Sequence, residues 1–381
     1  MSGRFRRRWL GINQNATRLP LALAFVVGHA LVVWGQNASD QGSQPIQIST
    51  IAASYAAAPR PMGPANVPSP YSVRPSTTPM WNNAAWQSSA GAVYGGVEYL
   101  LLRTHFSQAI AYVQVSDSIV NGLPNQSVSA REINFPYTSA FRTYVGYQIT
   151  PSAALQLTYF YLNNSATVTG SPSAAGQTFV DAYGDQAKFG QTMGGTSFVR
   201  LNVFDLDFAG RYAVAPQLVL RPAAGVRFAD VRQHNDSTVT DPLAGSLATG
   251  TFNTHFTGFG PHGSLLGQAY LKPNSPFSFI ARGAGSLLLG GYSNTSGAVI
   301  TGIAGGQQTA HRALTVPVVE AEIGGAWQQT QNLMFSAGWL WQAWFDLGVS
   351  GGTTYNGKFA ESDSASIMSF DGLFLRGLWR Y

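Results

Sequence analysis

From Val93 to the C-terminus the chain alternates apolar and polar residues with a period of two, and this pattern sets the fold. Side chains two apart share one face of a β-strand, so such runs predict strands with one apolar and one polar face. Segment 137–149 puts Phe141, Thr143, Val145, Tyr147 and Ile149 on one face and Arg142, Tyr144, Gly146 and Gln148 on the other. Segment 154–162 sets Leu155, Leu157, Tyr159 and Tyr161 against Gln156 and Thr158. Segment 198–213 sets Phe204, Leu206, Phe208 and Tyr212 against Asp205, Asp207, Ala209 and Arg211. The same holds over 217–231 (Leu218, Leu220, Val226, Phe228 against Arg221, Arg227) and 316–328 (Val319, Ala321, Ile323, Trp327 against Glu320, Glu322). It holds again over 333–347, where Phe335, Trp339, Trp341 and Phe345 oppose Ser336, Gln342 and Asp346. Beyond Val93 no run of about 18 apolar residues occurs, so a membrane bundle of helices is excluded.

Composition decides what solvates the apolar faces. Only 10% of residues are charged, against about 25% in soluble globular chains. Yet the mean hydropathy is only +0.01. Low charge with neutral hydropathy fits a transmembrane barrel, whose lipid-facing and lumen-facing residues average out. The net charge of +5 is concentrated at the N-terminus: removing residues 1–35, with five arginines and no acid, leaves 17 basic against 17 acidic side chains. A near-neutral remainder argues against nucleic acid as a partner. The absence of cysteine excludes disulfides, thiolate metal sites and a cysteine nucleophile. No metal motif or cofactor fingerprint is present, and none is expected.

The N-terminus reads as an export signal. Arg4, Arg6, Arg7 and Arg8 precede the apolar stretch 19–34, with Val33 and Gly35 as small residues before a cut near Gln36. Residues 1–35 are therefore expected to be a signal peptide. Residues 36–90, rich in Pro, Ser and Ala and without a hydrophobic period, are expected to be a disordered periplasmic segment. Residues 91–381 are expected to form the barrel.

Loop lengths give an independent check. The connections at 150–153, 214–217, 272–276 and 329–332 are tight, and those at about 106–136, 163–196, 232–254, 291–312 and 348–366 are long and polar. Strict alternation of short periplasmic turns and long external loops predicts an up-and-down antiparallel barrel of about ten strands. A hairpin within 106–136, which contains 109–115, would make twelve. Aromatics toward strand ends (Tyr94, Tyr99, Tyr147, Tyr159, Tyr161, Trp327, Trp339, Trp379) suit interfacial girdles. The final strand carries Leu373, Leu375, Trp379 and the terminal Tyr381 on one parity, the form of a signal for the outer-membrane assembly machinery.

A charge facing lipid near mid-bilayer costs roughly 2–4 kcal/mol, so the charges of these strands are expected to face the lumen. On this register they are Glu98, Arg142, Asp205, Asp207, Arg211, Arg221, Arg227, Arg282, Glu320, Glu322, Asp346, Arg376 and Arg380. They would either line an open pore and tune passage of small polar solutes or ions, or lock into a network that fills a narrow barrel. His105, His234, His255 and His262, with Asp230 and Asp236, show no triad or metal spacing, so no enzyme is expected, with an outer-membrane hydrolase the third reading. The glycines of 258–263 lie in a strand without a following helix and are expected to relieve crowding or bend the wall.

Several motifs in order resemble the pore-forming outer-membrane proteins grouped with the Legionella major outer membrane protein, a family with planctomycete-type members. They are 94–106 with Arg103, His105 and Phe106 in matching places, 256–263 with His262 where the pattern has Arg, 286–290, 338–345 and 370–376. The resemblance covers about 91–381 outside the long loops, implies a barrel and a pore, and carries over no catalytic residue. The expected location is the outer membrane and the expected function is passive diffusion of small polar solutes. The alternative is a non-conducting structural or adhesive barrel displaying long loops. Expected partners are outer-membrane lipids, the assembly machinery and small polar solutes or ions. A homo-oligomer is compatible with the sequence.

Overall fold

The computed structural model describes residues 90–381 except 108–109, 121–122, 182–183, 274, 302 and 349–365. The expected signal peptide, nearly all of the 36–90 segment and most of the 348–366 loop lie outside the described residues. The described residues form fifteen strands: β1 (Val93–Phe106), β2 (Ile110–Val120), β3 (Leu123–Glu132), β4 (Tyr137–Thr150), β5 (Ala153–Gly170), β6 (Gln177–Asp181), β7 (Gln186–Ala187), β8 (Thr192–Gly210), β9 (Tyr212–Ala215), β10 (Leu218–Asp241), β11 (Gly245–Tyr270), β12 (Phe277–Ile300), β13 (Ile303–Gln328), β14 (Leu333–Phe345) and β15 (Ile367–Arg380).

Ten of them close an antiparallel barrel in the order β1-β4-β5-β8-β10-β11-β12-β13-β14-β15, with β15 returning to β1. Closure satisfies every backbone donor and acceptor without water, which is what a strand in lipid requires. The alternation sets the faces as the sequence predicts. Val97, Tyr99, Phe141, Leu157, Phe204, Phe228, Ile323 and Leu375 project from the wall and stay exposed, Ile323 at 68%. Water would penalise that surface by about 25 cal/mol per Å², whereas lipid solvates it.

The strands run farther than the sequence suggests. β10 to β13 have 24, 26, 24 and 26 residues, where about 9–11 cross a bilayer. Most of 232–254 and 291–312 is therefore paired strand beyond the membrane rather than loop. The far halves of β12 and β13 are polar on both faces and carry no period-two signal. The β12–β13 ladder is reinforced by cross-strand pairs such as Thr295–Thr309 at 3.1 Å, and the β5–β8 ladder by Thr167–Thr196 at 3.3 Å.

The 106–136 connection does contain a hairpin, β2 with β3, but it adds nothing to the barrel. β2 pairs with β6, and with β7 they form a separate four-stranded sheet. Its Tyr112 and Phe179 stack at 4.7 Å and join the inward Met193, Val239 and Ala248 of β8, β10 and β11 in a second apolar cluster. Ser237 of β10 donates to Asp181 at 2.5 Å. The small sheet thus packs on the inner face of the external extensions.

Gly260, in the 258–263 segment, relieves crowding against β12. A Cβ there would run into the Leu287 carbonyl, and the β11–β12 pairing skips Gly260 and Pro261. Tyr94 departs from the expected girdle. It faces inward opposite Gly146, while Tyr144 lies opposite Gly96, so each tyrosine ring occupies the space left by a glycine on the partner strand.

Candidate functional site

The lumen is layered from the end with the short turns toward the end with the long strand extensions. At the turn end lies a cavity of about 190 Å³ whose lining includes Tyr94, Gln148, Gln156, Arg211, Arg221 and Arg380. The Tyr94 hydroxyl donates to Gln156 at 3.1 Å, and Arg221 donates to Gln268 at 3.3 Å.

Glu98, Arg142, Asp205, Asp207, Arg282 and Arg376 line the same cavity, and at its far side the expected lumen charges meet. Arg376 reaches Glu98 at 3.0 Å and Glu322 at 2.6 Å. Glu322 also takes Arg142 at 2.6 Å and Arg282 at 3.0 Å. Arg282 bridges on to Glu320 at 3.2 Å, and Glu320 meets Arg227 at 2.5 Å and accepts from Gln342 at 3.2 Å. Arg227 completes the chain with a two-pronged bond to Asp205, Nε–Oδ1 at 2.6 Å and Nη2–Oδ2 at 2.8 Å. Such forked guanidinium–carboxylate contacts are the strong, geometrically specific ones.

Three of these contacts are fixed by strand register, with Glu98 opposite Arg376, Arg227 opposite Asp205 and Arg282 opposite Glu322, and register also sets Glu98 opposite Arg142 at 3.8 Å. Others cross the lumen. Arg142 on β4 and Glu322 on β13 are separated around the wall by β1, β15 and β14, and Arg227 on β10 and Glu320 on β13 by β11 and β12. The network therefore occupies the cross-section rather than coating the wall. Most of it is shielded from solvent: Glu98 is 1% exposed, Glu320 2% and Arg227 2%, while Arg282 and Arg376 border the cavity.

Outward of the charges the interior turns apolar. Leu100, Leu102, Phe160, Leu201, Phe256, Leu288, Val316, Leu340, Trp344 and Phe374 pack as one cluster, fed by every barrel strand once Ala140 of β4 and Val231 of β10 are included. The period-two alternation predicts a polar interior, and this half of the lumen departs from it. Runs such as Tyr99-Leu100-Leu101-Leu102 are apolar on both parities, and that was the available sign of a wall segment buried on both sides.

Of the expected lumen residues, Glu98, Arg142, Asp205, Asp207, Arg227, Arg282, Glu320, Glu322 and Arg376 converge in the middle layer, and Arg211, Arg221 and Arg380 at the cavity. Asp346 is set apart: it lies one residue past β14 with φ at 61°, in a turn outside the wall. Trp379 stands outward opposite Leu333 and Gly95, and the Tyr381 amide donates to the Val93 carbonyl at 2.9 Å, tying the chain end to the first strand. Sequence reasoning missed His262 as a lumen residue. Its Nε2 lies 3.7 Å from Asp207, and its Nδ1 is 2.9 Å from the Ser286 hydroxyl. His105 pairs with Asp371, His234 with Asp236 and His255 with Asp230, each at 2.6 Å on the outer face.

Solved structures similar to this chain include the outer membrane protease OmpT of Escherichia coli (11% identity, 78% of this chain and 99% of that one, TM-score 0.43). OprG of Pseudomonas aeruginosa matches at 7% identity over 78% of this chain and 98% of that one, TM-score 0.27. The attachment invasion protein Ail of Yersinia pestis matches at 8% over 77% and 99%, TM-score 0.23. No curated protein matches the sequence. Residues 89–381 match the family described as the Legionella pneumophila major outer membrane protein precursor. With most of its length covered by that match, the chain belongs to the family of the Legionella major outer membrane protein, in the outer membrane.

Proposed function

We propose that this outer-membrane protein is a closed barrel whose working surface is what it carries outside the membrane. The observation behind this reading is the pair of cross-lumen bridges, Arg142–Glu322 and Arg227–Glu320, set beneath a packed apolar layer. A hydrated pore would leave such charges exposed and separated, whereas here they bind each other across the channel axis. The four long strands β10 to β13 and the small sheet then present a rigid external platform suited to structural or adhesive contact. The reading assigns no catalytic step. Asp207, His262 and Ser286 have the residue types of a nucleophilic relay, but the His262 side chain is 0% exposed and no substrate reaches it.

The test is single-channel recording on the refolded mature protein, with a heat-modifiable gel shift confirming the closed barrel. Folded protein without discrete steps supports the closed reading; salt-proportional steps refute it. A second reading, passive diffusion of small polar solutes or ions, draws on the periplasmic cavity and its Arg211, Arg221 and Arg380 lining. It requires the charge network to part. Charge reversal of Arg221 and Arg227 would then shift the reversal potential, whereas in a closed barrel it lowers stability alone.

A further inference from the structure

Where β8, β10 and β11 leave the bilayer, their outward side chains form registered rows. Phe204, Phe228 and Phe259 make an apolar row. Two residues farther out stand Asn202, Asp230 and Thr257, and two farther again Arg200, Arg232 and His255. Arg200 and Arg232 are thus direct cross-strand neighbours of like charge, an arrangement that destabilises a sheet unless an anion sits over it. Asp230 does not balance it. It accepts from Arg232 Nε at 3.1 Å and contacts His255 at 2.6 Å, so one carboxylate serves two cationic or protonatable groups. Among the described residues no carboxylate lies in ion-pair reach of Arg200, whose guanidinium rests 5.6 Å from the centre of the Tyr161 ring. Arg232 remains 57% exposed. Beside it a groove of about 550 Å³ is edged by Arg232, His255, Asn253 and Ser293.

Height identifies the ligand. Four residues at ~3.3 Å each, on a strand tilted near 45°, set the Arg row about 9 Å beyond the Phe row, a separation that suits a headgroup over acyl chains, with Phe198 on the same face two residues past Arg200. An apolar track directly below a cationic row fits an amphiphile and gives a free anion nothing to use.

We propose that Arg200, Arg232 and His255 bind the phosphate of a phosphorylated lipid of the outer leaflet, whose acyl chains lie on Phe204, Phe228 and Phe259. Arginine supplies forked N–H donors matched to phosphate oxygens. The site stands apart from the lumen, so it holds whether the barrel conducts or not.

The test uses the full mature chain in phosphatidylcholine nanodiscs. Bisphosphorylated lipid A is added at graded mole fraction, and retained lipid is read by native mass spectrometry. Wild type should retain lipid A, and Arg200→Gln/Arg232→Gln should weaken retention by at least about tenfold. The exposed positions leave the core untouched, and a Lys/Lys variant that still binds separates charge loss from misfolding. Unchanged retention in the Gln/Gln variant overturns the proposal. So does equal retention of dephosphorylated lipid A, which would mean that the apolar track alone binds. Inorganic phosphate that displaces lipid A at equal concentration overturns the lipid assignment in favour of a soluble-anion site.

Discussion

Consider the cycle Arg142→Gln, Glu322→Gln and the double substitution. The two groups meet at 2.6 Å, which puts their charge centres on the order of 4 Å apart. Their attraction is about 1 kcal/mol if water separates and screens them, and about 4 kcal/mol at the effective dielectric of a protein interior. Either single substitution leaves a buried charge short of its partner, a loss of about 3–5 kcal/mol. Arg142 keeps Glu320 at 3.5 Å and Glu98 at 3.8 Å, so its loss of Glu322 falls at the lower end of that range. The double variant removes both charges and should lose clearly less than the two singles together. The expected coupling is about 2 kcal/mol or more, read from urea unfolding in lipid vesicles by tryptophan fluorescence with the slope held constant. A coupling below about 1 kcal/mol would mean a solvated pair, as in exposed ion pairs, and would refute the dry cross-lumen network.

Three further outcomes follow from particular residues. Trp344→Ala empties part of the apolar layer, where Trp344 is fully buried, and should lower stability in the same unfolding assay by about 3–5 kcal/mol. Gly146→Val drives a side chain into the Tyr94 ring and should weaken the β1–β4 seam by about 1–3 kcal/mol, seen as a lower temperature for the heat-modifiable gel shift. Asp230, beyond the lipid belt, feels burial that would raise its carboxyl, but the His255 and Arg232 contacts outweigh it and hold the group below its usual 3.8. A depressed acid stabilises the fold above its unfolded value, and that contribution is lost as pH falls through the folded one. Asp230→Asn should therefore lower stability by a constant amount above about pH 4 and flatten the acid limb, so that urea unfolding at graded pH shows the two profiles converging at lower pH.

The sequence made the wall legible wherever lipid imposes a rule. A residue facing hydrocarbon must be apolar, so Phe141, Leu157, Phe204 and Ile323 mark their strands without further information, and the opposite parity falls to Arg142, Thr158, Asp205 and Glu322. Outside the bilayer that rule lapses. The upper halves of β12 and β13, with Ser293, Asn294, Thr295 and Gln307, Gln308, Thr309, read as loop because a sheet wetted on both faces needs no alternation. The charge network was legible as a list of residues and illegible as a set of pairs. Parity says which way Glu322 points; which arginine it meets depends on how far each strand is staggered against the next.

That stagger is what the network is placed to report. On the seam that closes the barrel, Glu98 lies opposite Arg376, and a slip of two residues would set it against Leu378 or Phe374 instead. A slip of one residue would turn Glu98 into the lipid, at roughly 2–4 kcal/mol near mid-bilayer. Similar reasoning applies at the β8–β10 seam through Asp205 and Arg227 and at the β12–β13 seam through Arg282 and Glu322. Because Arg142–Glu322 and Arg227–Glu320 cross the lumen, they also tie seams that share no hydrogen bonds, so an error at one seam is felt at another. Apolar side chains in the middle layer would fill the same space without distinguishing neighbouring registers. A buried ion network is therefore better explained by the uniqueness of closure it enforces than by the net stability it adds, which for buried pairs is small against an apolar alternative of equal volume.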